Sequence, residues 1–163
     1  MNKFFKSIKR IIYTFLVKLK AKSYKEVIAN GYTSVNKNTI LGNNVNFNGL
    51  LIYGNGNVEI GDNFHSGRDI VIFTRFHNYQ GSKIPYDEKY ILKTVIIEDN
   101  VWIGGKVIIV GNVKIGEGAI IQAGSVVVND IPKLSIAGGN PAKVFKKRDE
   151  KHYLNLKNKK MFH

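Results

Sequence analysis

Six aliphatic residues recur at every sixth position without a slip: Ile97, Ile103, Ile109, Ile115, Ile121 and Val127. Four places after each of the first five come Val101, Val107, Val113, Ala119 and Ser125, all small or β-branched. A period of six is neither the 3.6 of a helix nor the two-residue alternation of a lone strand. Such a repeat indicates a solenoid in which each hexad supplies one short strand and one corner, with the aliphatic residue turned inward. Stacked coils then bury these residues as ladders, because strands one coil apart lie only about 4.8 Å from each other. The same frame occurs upstream at Val35, Leu41, Phe47 and Tyr53, and resumes after a one-residue slip at Ile60-Gly61 and Ile72. Asn36, Asn38, Asn43, Asn44, Asn55, Asn57 and Asn63 suit the corners, since Asn, like Gly, tolerates left-handed backbone. The expected fold is an all-β solenoid, a parallel β-helix.

The pattern divides the chain into a basic amphipathic helix over 1–30, a β-helix over 31–142, and a basic C-terminal tail over 143–163 with a short helix. Between Ile72 and Val95 the hexads stop, and residues 74–94 are expected to leave the coil as a loop. A long excursion from a regular solenoid is more often functional than accidental. In the first segment Phe4, Phe5, Ile8, Ile11, Ile12, Phe15, Leu16 and Leu19 share one broad helical face, with Lys3, Lys6, Lys9, Arg10 and Lys20 around the other. The charge-free run Ile11 to Val17 is far short of the ~20 residues of a membrane span. It also lacks the small-residue cleavage site of a signal peptide. The stripe is expected to pack on the rest of the protein or on a neighbouring subunit. The alternative is peripheral contact of residues 3–22 with an anionic membrane.

The formal net charge of +13 belongs to the ends of the chain. Residues 1–25 hold eight Lys/Arg and no acid, and 143–163 hold eight more against Asp149 and Glu150. The stretch 26–142 has nine basic and ten acidic residues. No zinc-finger spacing, RNP-like motif or helix-turn-helix accompanies the basic ends, so nucleic acid is not expected as a partner. Cysteine is absent, which removes disulfides, a thiolate nucleophile and Cys-based zinc sites.

The segment IEDNVWIGGKVIIVGNVKIGEGAIIQAGSVVVNDIP, followed by IAGGNPAKVFKKR, closely resembles the hexapeptide-repeat acetyltransferases. The similarity extends to galactoside, maltose and xenobiotic acetyltransferases and to their relatives in capsule and O-antigen clusters. It spans roughly 35–148, and 95–148 is its specific part. The resemblance implies a left-handed β-helix, a homotrimer with active sites between neighbouring subunits, acetyl-CoA as cosubstrate and a sugar or glycan as acceptor. The implied setting is cytoplasmic, at or near the inner face of the membrane. His77, in the extended loop, holds the position of the family's general base. A neutral imidazole suits that task, because a sugar hydroxyl must lose its proton as it attacks a thioester. By the same resemblance the Gly105 amide is the oxyanion donor. Trp102 lines the thioester end, the backbone at Ala123 binds the pantetheine arm, and Lys143 and Lys146 lie near the CoA phosphates. Two departures concern the acceptor side. The galactoside enzymes carry an Asn upstream of the loop where this chain has Gly67, and their amino-terminal substrate module is replaced by the basic helix.

Of the remaining histidines, His152 and His163 are read as surface residues of the tail, and His65 as an outward wall residue or an acceptor contact. Asp69, Asp87 and Glu88 are candidates to orient His77, though a solvated surface role is expected for each. Tyr79, Tyr86 and Tyr90 are placed to stack on a sugar or to pack the loop. The competing functions are N-acetylation of an amino-sugar, a β-helix carbonic anhydrase and a non-enzymatic assembly scaffold. The anhydrase needs three histidines on zinc, and 31–142 holds only His65 and His77, so no metal site is expected.

Overall fold

The computed structural model describes residues 3–163; Met1, Asn2 and the side chains of Lys3 and Phe4 lie outside the described residues. The hexads wind into a three-walled β-solenoid. The first wall stacks Ser23–Tyr24, Thr39–Leu41, Val58–Ile60, Val95–Ile97 and Val113–Ile115 in parallel. The second stacks Val27–Ala29, Val45–Phe47, His65–Ser66, Trp102–Ile103, Ile120–Ile121 and Ser135–Gly138, and antiparallel Lys143–Lys147 closes its edge. The third stacks Thr33–Ser34, Leu50–Tyr53, Ile70–Phe73, Ile108–Val110 and Val126–Val127. Residues Ile97, Ile103, Ile109, Ile115, Ile121 and Val127 are each at most 1% exposed. Val101, Val107, Val113, Ala119 and Ser125 are buried beside them, so two positions per hexad point inward. Each buried aliphatic side chain contributes about 1.5–3 kcal/mol relative to exposure.

The upstream frame departs from the pattern at Tyr53. Ile52 fills the interior there, while Tyr53 is 51% exposed and stacks outside on Phe73, with ring centroids 5.4 Å apart. The cause lies in corner lengths. From Phe47 to Leu50 the chain takes one step fewer than from Ser66 to Ile70, and the longer corner Gly54–Asn57 restores the register with Val58.

The N-terminal helix, α1, spans Lys3–Lys20 and is shorter than the pattern suggested, because Ser23–Tyr24 and Val27–Ala29 pair with Ile40–Leu41 and Val45–Phe47 as a first coil. It packs through a ridge of Tyr13, Val17 and Ala21 at i, i+4 spacing. Val17 is 1% exposed, Thr14 Oγ1 accepts from Ala29 N at 2.9 Å, and Tyr13 meets Tyr32 edge-on at 5.9 Å. Most of the expected stripe therefore turns away from the coil. Phe5, Ile8, Ile11, Ile12, Phe15 and Leu19 are exposed, Leu19 by 69%. Among the described residues no helix is long and apolar enough to cross a membrane. A second helix, α2 (Glu150–Asn158), follows the closing strand and is capped by Asp149, whose side chain accepts from His152 N.

Candidate active site

Two corners of the coil carry the same backbone turn and treat its amides differently. Between the first and second walls, Asn43 N donates to Asp62 Oδ1 (2.7 Å), Asp62 N to Asp99 Oδ1 (2.8 Å) and Glu117 N to Glu98 Oε2 (2.8 Å). The next residues, Asn44, Asn63 and Asn100, have φ of 53°, 55° and 59°. Their side chains form a ladder, Asn44 Nδ2 to Asn63 Oδ1 and Asn63 Nδ2 to Asn100 Oδ1, both at 3.0 Å. Tyr153 of α2 ends the ladder: its hydroxyl accepts from Asn100 Nδ2 (2.9 Å) and donates to Glu117 Oε1 (2.7 Å). The next coil has Gly118 (φ 68°), where a Cβ would lie 2.9 Å from the Tyr153 ring. Burial of Glu117 opposes its ionisation, but Lys157, Tyr153 and Asn100 outweigh it and hold the carboxyl below its usual range. The Lys114 ammonium does the same for Glu98. Three of the corner amides here are thus paired with carboxylates of the chain itself.

Between the second and third walls the turn is left open. Gly104 N donates to Ile121 O (2.8 Å), Lys106 N to Arg68 O (2.7 Å) and Gly124 N to Gly105 O (2.9 Å). The intervening N–H groups of Gly105 and Ala123 donate to no acceptor among the described residues. Glycines keep them uncovered: a Cβ at Gly67 would lie 2.4 Å from Gly105 N, and one at Gly104 would lie 2.6 Å from Ala123 N. Gly67 is thus required by its neighbour's backbone. Unpaired N–H groups one coil apart form a donor strip of the kind that receives a carbonyl oxygen or an oxyanion.

The other sequence-predicted donor-side residues lie along this corner and the adjoining wall. Trp102 is 56% exposed on the outer face of the second wall, in register with Ile120, which is in register with Ile136. Lys146 pairs with Ile136 and Lys143 with Gly138, so both extend this region past the last coil. Lys143–Lys147 is a strand with all five residues exposed.

His77 lies elsewhere in the chain. The hairpin Arg75–His77 and Tyr90–Leu92 leaves at the corner between the third and first walls, anchored by Thr74, whose Oγ1 donates to Tyr53 O and accepts from Gly56 N. The strand Ile70–Phe73 separates this exit from the open corner, a span of roughly 13 Å for four residues. The imidazole stacks on Tyr86 (3.8 Å, 21°) and leans on Tyr90 (4.9 Å, 45°). Among the described residues no carboxylate is hydrogen-bonded to it. Asp87, expected on the surface, is 6% exposed and folds the loop, accepting from Lys89 N (2.9 Å), Asn78 Nδ2 (3.1 Å) and Ser82 N (3.4 Å). The amide of Lys89 leads the donors that hold its carboxyl below the usual range. Glu88 pairs with Lys83 in solvent, and Asp69 is an exposed corner residue with φ of 60°. His65 is in register with Trp102 on the outer wall and lies under the His163 ring at 5.0 Å. Its Nε2 is buried with no hydrogen-bond partner among the described residues, and burial pushes its pKa below the ordinary value.

The carboxylate-capped corner was missed from sequence, yet it has a signal. Gly42-Asn43-Asn44, Gly61-Asp62-Asn63 and Asp99-Asn100 repeat a polar residue before a left-handed Asn. The open amides have no side chain and so left no comparable signal.

Comparison with known proteins agrees with this architecture. Residues 94–129 match the family described as bacterial transferase hexapeptide (six repeats). The provisionally named acetyltransferase YJL218W of Saccharomyces cerevisiae is 40% identical over 121 residues, 74% of this chain and 61% of its own length. The chain thus spans less than two thirds of that relative. Among solved structures, the hexapeptide-repeat acetyltransferase VCA0836 of Vibrio cholerae, in complex with acetyl coenzyme A, superposes with TM-score 0.66 at 27% identity, covering 84% of this chain and 76% of that one. A maltose O-acetyltransferase of Clostridium difficile superposes with TM-score 0.63 at 33% identity, covering 78% and 66%. Residues 94–129 thus carry the hexapeptide repeat of bacterial transferases, and hexapeptide-repeat acetyltransferases superpose on most of the chain's length.

Proposed function

We propose that this protein transfers acetyl from acetyl-CoA to a sugar hydroxyl in the assembly of a surface polysaccharide or other glycan. The observation that carries the reading is the strip of unpaired Gly105 and Ala123 amides, flanked by Trp102 and extended by Lys143 and Lys146. Similarity to a structure holding acetyl coenzyme A and to a maltose O-acetyltransferase supports the donor and the acceptor class. His77 acts as general base: its neutral imidazole takes the hydroxyl proton as the oxygen attacks the thioester carbonyl. The Gly105 N–H stabilises the tetrahedral oxyanion. When the intermediate collapses, the C–S bond breaks and the imidazolium returns its proton to the departing CoA sulfur. Because His77 and the open corner stand at opposite ends of a strand, the base reaches the strip from a neighbouring subunit of a homotrimer. The exposed apolar arc of α1, with basic residues around it, rests on the anionic inner face of a membrane.

The test is CoA release from acetyl-CoA across free sugars, amino-sugars, nucleotide sugars and lipid-linked glycans, with the product bond identified by hydroxylamine lability. An ester on a sugar hydroxyl is the expected product. Exclusive formation of an amide would overturn O-transfer in favour of amino-sugar N-acetylation. No CoA release with any acceptor would leave a scaffold.

A further inference from the structure

The helix α1 and the coil enclose a cleft of about 620 Å³ whose lining includes Lys6, Lys9, Arg10, Tyr13, Tyr32 and Arg68 and no acidic residue. Its floor is the lower end of the open corner, where Gly31 and Arg68 also have backbone N–H groups that donate to no acceptor among the described residues. Lys6, Arg10, Tyr13 and Val17 stand at i, i+4, i+7 and i+11, so the two cations share the helix face that Val17 buries against the coil. They are directed away from the exposed apolar arc, toward the protein. The cleft is contiguous with the proposed transfer site: Arg68 O accepts from Lys106 N, and a Cβ on Gly105 would lie 3.4 Å from Arg68 O.

Guanidinium and ammonium groups converging with free backbone amides in an acid-free cleft form a receptor for phosphoryl oxygens. We propose that this cleft holds the phosphate or diphosphate group of the acceptor, so that the acetylated sugar is a phosphate-linked one. The inference rests on the acetyl-transfer reading above and assigns its acceptor class. The basic N-terminal segment then serves in place of a separate substrate module. Tyr13 and Tyr32, which meet edge-on, form part of the cleft wall, and Arg68 stands between the anion and Gly105.

The experiment is calorimetric titration of the full-length protein with inorganic pyrophosphate, with and without saturating CoA. Saturation prevents pyrophosphate from borrowing the CoA phosphate site. The expected result is binding in both cases, weakened at least about tenfold in Arg10→Ala/Arg68→Ala, the scale of lost charged hydrogen bonds. CoA affinity is expected to be unchanged in that variant, and circular dichroism checks that α1 persists. A second variant, Lys6→Glu, is expected to weaken pyrophosphate further without touching the corner. Competition of bound pyrophosphate by a nucleotide-diphosphate hexose, or by a polyprenyl-diphosphate hexose in neutral vesicles, supports the site and identifies which source of diphosphate it takes. Pyrophosphate affinity identical in wild type and both variants, or no competition from either sugar, overturns the proposal. Failure of CoA to bind would instead break the acetyl-transfer reading, and the CoA-free titration of the variants still decides the cleft.

Discussion

The corner between the first and second walls and the corner between the second and third are built from the same hexad, yet one is closed and the other open. In the closed corner, Asp62, Asp99 and Glu98 accept the amide hydrogens of Asn43, Asp62 and Glu117, and the Asn ladder runs on to Tyr153. In the open corner, Gly105 and Ala123 have no such acceptor among the described residues, and bare glycines keep side chains away. A solenoid needs each turn but does not need every turn to satisfy its own donors. A corner amide exposed to water costs little, whereas one paired internally contributes about 0.5–1.5 kcal/mol. The difference separates a structural seam from a surface free to receive a ligand.

The comparison is sharpened first at its largest expected effect. His77→Ala should lower kcat by about 10²–10⁴-fold while leaving CoA affinity nearly unchanged. Steady-state kinetics with an acceptor from the panel, beside a CoA titration, provide the check. Near-normal turnover would refute the base while leaving the donor strip untouched. Lys143→Ala, at the far end of the open corner, should weaken CoA binding by roughly fivefold, the scale of one exposed ion pair. Its kcat at saturation should move little, and equal CoA affinity would detach Lys143 from the strip.

At the closed corner the expectation reverses. Asp99→Ala removes the acceptor of Asp62 N and should cost about 0.5–1 kcal/mol in denaturant unfolding, with kcat and CoA affinity unchanged. Loss of transfer activity in this variant, comparable to that in His77→Ala, would break the distinction between the corners. The smallest effect is pH dependence. Glu117 and Glu98 have folded-state pKa values held below the ordinary carboxylate value, so the unfolded chain binds more protons in that window. Their contribution is present above about pH 4.3 and is lost as pH falls through the depressed values. Hydrogen exchange of α2, docked through Tyr153 and Lys157, should therefore lose protection at pH 3 relative to pH 6 after correction for intrinsic rates. Equal protection at both would show that the closed corner does not hold the helix through these carboxylates.

The N-terminal helix shows where pattern alone misleads. Its broad apolar face suggested a packing stripe, but Tyr13, Val17 and Ala21 make the contact and the broader stripe faces out. Periodicity identifies faces without saying which one the rest of the chain will meet. Asp87 illustrates the same limit: a loop carboxylate reads as solvated until three donors from its own loop are found around it.

From the sequence alone came the solenoid, its interior ladder from Ile97 to Val127 and the excursion at 74–94. These depend on side-chain chemistry repeated at fixed spacing, which survives in one dimension. Tertiary structure alone decided the register at Tyr53, the face on which α1 packs and the separation of His77 from Gly105 within one chain. It also decided which corner amides are left unpaired. Those features depend on corner lengths and on contacts between residues 18 to 38 positions apart, such as Gly67 with Gly105 and Asp62 with Asp99. A hexad carries no record of which of its backbone donors a neighbouring coil will satisfy, because that partner is chosen only when the coils stack.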